Sequence, residues 1–155
     1  LIVSVVAIAV VATAGIVLII VNADGDAHSR SQIRAGLAEV PTGDPSKVGE
    51  YLAGPPGTLL HEATQLAYQV VDADDVCATA RPIEDIGPPM EVSIAAVGVP
   101  DQALSQGYGA MLVVLDEISQ ACVGDGAQAV DPSEVDRLQL ILVALEERLD
   151  ALKID

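Results

Sequence analysis

The side chains best placed to do covalent chemistry are Cys77 and Cys122, the only two cysteines in the chain. No CxxC spacing joins them, and Arg81 is the only nearby cation in sequence, so a redox-active thiolate has little support. A structural disulfide is the expected outcome, with two buried thiols as the alternative. His28 and His61 stand alone, without HExxH or any other metal-ligand spacing. Asn22, Asp24 and Asp26 alternate around Gly25 like half of a calcium loop. The twelfth position of such a loop requires a bidentate Glu, and here it is Ile33. A hydrated linker is the expected reading of that stretch. Glu39, Glu50, Glu84 and Asp85 fall in or beside segments expected to be flexible, a poor basis for a paired-carboxylate site. No phosphate loop, dinucleotide fingerprint or nucleophile motif is present. The expectation is a protein without catalytic activity, cofactor or metal.

The chain that positions these residues is sharply divided. Leu1 to Val21 contains no charged side chain. At about 1.5 Å per residue such a stretch spans about 30 Å, the thickness of a bilayer's hydrocarbon core. It is longer than the usual apolar run of a signal peptide, although Gly25-Asp26-Ala27 has small residues at cleavage-site spacing. A single-pass helix over 1–21 is expected. Ser4, Ala7, Ala9 and Gly15 give it small-residue surfaces that permit close helix packing. All 23 acidic and all 7 basic residues follow it, for a net charge of −16. The exit sequence carries no Lys or Arg before Arg30. That flank predicts an extracytoplasmic domain on a plasma-membrane anchor. The acidity argues against nucleic acid as a partner.

The rest divides into residues 22–57, a short juxtamembrane helix and Pro/Gly linker, and residues 58–155, an acidic helical bundle. Ile33, Leu37 and Val40 have helical spacing, whereas Pro41 to Gly57 reads as linker. A helix is expected from Thr58 to about Arg81, with a seam of Leu59, Ala63, Leu66, Val70, Ala73 and Cys77. Asp72, Asp74 and Asp75 oppose the helix dipole and weaken its C-terminal end. The prolines of Arg81 to Pro100 preclude one continuous helix, and Val92 to Val99 is expected as a strand or extended apolar strap. A further helix runs from Asp101 to about Val123 on Leu104, Tyr108, Met111, Leu115, Ile118 and Cys122. The last helix has Asp131 as its N-cap, Pro132 at its first position and Glu134 in its first turn. Its stripe is Val135, Leu138, Leu142, Leu145, Leu149 and Leu152, with Glu146, Glu147, Arg148 and Asp150 expected as a solvated face. The predicted class is therefore all-α, with three principal helices behind an anchor. The cysteines share a seam position and a helix end, and the long connection lets their helices run parallel and the thiols meet.

With no Phe or Trp, this core must be built from Leu, Val, Ile and Ala. Apolar residues outside the seams then stand out. Met90, Ile94 and Val97, with Ile83 and Ile86 before them, are the candidate partner contacts; covering the bundle's own core is the competing role.

An apolar anchor, an acidic Ala/Val/Asp-rich helical domain and two seam cysteines resemble small single-pass envelope proteins of actinobacteria. Within these, LIVSVVAIAVVATAGIVLIIVNADGDAHS and LQLILVALEERLDALKID look like the respiratory supercomplex associated factors that accompany cytochrome bcc and aa3 oxidase. The resemblance lies in layout and implies a non-catalytic accessory role beside integral membrane subunits. No haem motif (CxxCH) or copper cluster carries over. The other function class is an anchored extracytoplasmic ligand-binding or sensing module.

Overall fold

One tripeptide starts two helices. Asp44-Pro45-Ser46 and Asp131-Pro132-Ser133 each place an Asp before a Pro at the first helical position. In each, the Asp carboxylate accepts the Ser backbone N–H, at 3.0 Å and 2.9 Å. The cap satisfies a donor that the helix leaves free, and the proline has no N–H to lose. A computed structural model describes residues 36–80, 89–123 and 130–154. Its helices are α1 (Pro45–Leu52), α2 (Pro55–Val71), α3 (Val76–Ala80), α4 (Pro89–Gly98), α5 (Gln102–Val123) and α6 (Pro132–Leu152). A helical turn at residues 36–38 precedes them. Among the described residues there is no strand, and no helix is long and apolar enough to cross a membrane. The apolar stretch Leu1 to Val21 lies outside the described residues.

Four sequence expectations are corrected. The stretch from Pro41 to Gly57 is not a plain linker: it forms α1 and the start of α2. Pro45, Pro55 and Pro56 sit in first turns, where they do no harm. The helix expected to start at Thr58 begins at Pro55, and Thr58 lies inside α2, its N–H donating to the Gly54 carbonyl. Gly57 permits the tight α1–α2 turn, because a Cβ there would collide with the Leu52 carbonyl. The helix expected to reach Arg81 instead breaks after Val71. Asp75 then restarts it by accepting the Ala78 N–H at 3.0 Å, which makes α3 a separate element. Finally, Val92 to Val99 is helical through Gly98. Val92, Ala95, Ala96 and Val99 are buried at the i, i+3, i+4, i+7 positions of one helix face.

The core sits around α5. Leu104, Tyr108, Met111, Leu115, Ile118 and Cys122 are all buried, as their spacing predicts. α6 runs antiparallel to α5: Asp101 meets Arg148 at one end, and Glu117 meets Arg137 nearer the other. Between them, Gly107 makes room for Leu145. The α2–α3 pair runs parallel to α5, since Thr64 faces Met111 and Cys77 faces Cys122. α4 occupies the connection that returns the chain. Leu60 and Ala67 of α2 are more deeply buried than Leu59 and Ala73, so its inner stripe is rotated from the expected seam.

Candidate functional site

The cysteines expected to pair do so. Cys77 opens α3 one residue in, and Cys122 closes α5. Their sulfurs are bonded, with Cα atoms 5.2 Å apart. The bond fastens a five-residue helix, too short to persist alone, to the central helix.

The apolar candidates separate. Ile83 and Ile86 lie outside the described residues. Met90, Ile94 and Val97 fall at i, i+4, i+7 along α4, 72%, 64% and 78% exposed. The opposite face of α4 supplies Val92, Ala95, Ala96 and Val99 to the core. The same ten-residue helix thus covers the bundle with one face and presents an apolar stripe with the other. Two anchors hold it in place. The Tyr51 hydroxyl donates to the Ala95 carbonyl at 2.9 Å, and the Ser105 hydroxyl reaches the Val97 carbonyl at 3.5 Å. Isolated apolar side chains on a surface are ordinary, but an aligned set on a rigid helix is the kind of patch that partners use.

A second cluster was not foreseen from the sequence. Glu147 and Arg148, expected on a solvated face, are buried, and Glu146 is half-buried, accepting the Tyr68 hydroxyl; only Asp150 is exposed. Arg148 pairs with Asp101 at 2.9 Å, both side chains almost wholly out of solvent. Its Nε also points at both Asp101 oxygens, at 3.1 Å and 3.2 Å. The remaining guanidinium hydrogens go to backbone carbonyls of Leu37 (3.1 Å), Val40 (3.4 Å) and Pro41 (2.8 Å). Asp101 completes its own set by accepting the Gly43 and Leu104 N–H groups at 2.8 Å and 3.0 Å. The Leu104 bond caps α5, so one carboxylate serves as helix cap and ion-pair partner. A weak signal for Arg148 exists: Ile141, Leu145, Arg148 and Leu152 recur at 4-3-4, and the other three are core residues.

Burial pushes the Asp101 carboxyl up, but the Arg148 guanidinium and the Gly43 and Leu104 amides outweigh it. The group is held below the usual carboxylate value. A depressed folded-state pKa stabilises the fold above the unfolded value of about 3.9, and that stability disappears as pH falls through the folded value. Asp101→Asn should therefore melt well below the wild type at pH 7. The gap should close as pH drops below about 4. Melting curves of both proteins from pH 7 to pH 3 check this, and a gap that stays constant would contradict it.

His61 is exposed on α2. Among the described residues, no three His, Cys, Asp or Glu side chains come together in a way that could hold a metal ion. Comparison with family models, curated proteins and solved structures finds no match for this chain.

Proposed function

We propose that the chain acts by contact, as a non-catalytic accessory subunit of a bacterial membrane complex. The observation that carries this reading is the outer face of α4, where Met90, Ile94 and Val97 stand in line on a helix whose other face is locked into the core. The charge-free stretch from Leu1 to Val21 supports an anchor, with an exit that carries no Lys or Arg before Arg30 favouring an extracytoplasmic domain. A disulfide in a small domain suits an oxidising compartment. The partners are then integral membrane subunits. The resemblance in layout makes the cytochrome bcc–aa3 respiratory supercomplex the first complex to test.

Covering Ile94 and Val97 on docking would contribute about 3 kcal/mol, roughly a hundredfold in affinity. The double substitution Ile94→Lys, Val97→Glu keeps the net charge and should reduce co-purification with large membrane partners by about that factor. Its melting temperature should stay within a few degrees of wild type, because both side chains are already mostly in water. Quantitative mass spectrometry after mild detergent extraction reads both the partners and their loss. Equal recovery of partners with the variant would remove the α4 face from the proposal. Migration of the wild-type protein alone, or substrate turnover by the purified chain, would remove the accessory role.

A further inference from the structure

We infer that residues 36–43 form a releasable strap, latched onto the bundle by the Asp101–Arg148 pair, and that it undocks as a unit while the helices stay folded. Among the described residues, the strap is the segment that leads into α1.

Among the described residues, the attachments of the strap are few and lie at one corner. Its long-range polar contacts are the Leu37, Val40 and Pro41 carbonyls on Arg148 and the Gly43 N–H on Asp101. Leu37 is its single buried apolar side chain, with Val40 half-buried. Its other hydrogen bonds, Glu39 N–H to Gly36 and Val40 N–H to Leu37, are local and travel with it. Beyond Gly43 the chain is held separately: Val48 of α1 is fully buried, and Tyr51 is tied to Ala95.

Undocking is therefore a small step in electrostatic terms. Asp101 and Arg148 remain paired with each other, and Asp101 still caps α5 through Leu104. Water can take over the released carbonyls and the Gly43 N–H. No charge is left buried without a partner, which is what makes breaking a buried pair so unfavourable. The α2, α5 and α6 seams and the disulfide are untouched. An element with little buried apolar surface and separable hydrogen bonds opens below the global unfolding free energy. Eight freed residues add about 25 Å of reach.

Gly43 is the point of closest approach. A Cβ there would collide with the Pro100 carbonyl and crowd Asp101. Gly43→Ala therefore disturbs docking while keeping both side chains of the ion pair. Hydrogen exchange on the full chain in mild detergent, followed by mass spectrometry across low denaturant concentrations, reads the strap and the core separately. In the wild type, residues 36–43 should exchange about a hundredfold faster than α5 and α6, with a weak denaturant dependence. Gly43→Ala should accelerate the strap about tenfold more and leave α5 and α6 protection unchanged. Leu37→Ser, which removes the strap's buried apolar side chain, should give the same pattern. Exchange of strap and core at one rate with one denaturant dependence would overturn the latch. So would loss of α5 protection in both variants, since the strap would then be an integral part of the bundle.

Discussion

Arg148→Ala should destabilise the protein by about 3–5 kcal/mol, the usual result of leaving one member of a buried pair behind. The Asp101 carboxylate would lose its charged partner, and outside the strap it would keep only the Leu104 amide. The carbonyls of Leu37, Val40 and Pro41 would lose their donor at the same time. Because whole domains are stable by only about 5–15 kcal/mol, this one change consumes a large part of the total. Replacing both partners by apolar side chains, Asp101→Leu with Arg148→Met, should recover most of the loss, since no charge is then buried. Urea denaturation of the three proteins at pH 7 provides the measurement. An Arg148→Ala variant within about 1 kcal/mol of wild type would mean that the pair is solvated. Near-wild-type stability of the double variant would place the value of the pair in fixing the strap's position.

Removing the disulfide is the second large effect. The bond joins residues 45 apart in sequence. Constraining an unfolded loop of that size corresponds to about 4 kcal/mol in the loop-closure model. Cys77→Ser with Cys122→Ser should show this as a lower urea midpoint. Wild-type protein treated with reductant should move to the same midpoint, whereas the double variant should ignore reductant. The local consequence falls on α3, which the bond joins to α5 beside the packing of Val76 on the core. Identical midpoints for oxidised and reduced wild type would show that the crosslink constrains nothing in the unfolded chain.

The helical class, the seams of α5 and α6, the Asp131 cap and the cysteine pairing could all be read from the chain. Each rests on signals that repeat every three or four residues, or on a helix end and its immediate neighbours. The same local chemistry was present but obscured at α1. Asp44-Pro45-Ser46 is the tripeptide that starts α6, yet the surrounding prolines and glycines suggest a linker. At α4, the Pro-Pro sequence obscures a buried Val92, Ala95, Ala96, Val99 pattern that is helical, with Pro89 as the first residue of the helix. The outward stripe of Met90, Ile94 and Val97 was legible as apolar residues, but not as one face of a helix.

The Asp101–Arg148 corner belongs to the tertiary structure alone. A run of Glu-Glu-Arg-Leu-Asp reads as a solvated surface, because the desolvation of an arginine is unfavourable unless partners are supplied. Here the partners are a carboxylate 47 residues away and carbonyls 107 to 111 residues away. Local periodicity extends only about one helical turn and carries no information about contacts at that range. The chain alone thus determined the helical class, the inward stripes of α5 and α6 and the pairing of the cysteines. The meeting of α5, α6 and the strap at one corner decided that Arg148 is buried, because only there do enough acceptors converge to replace its water.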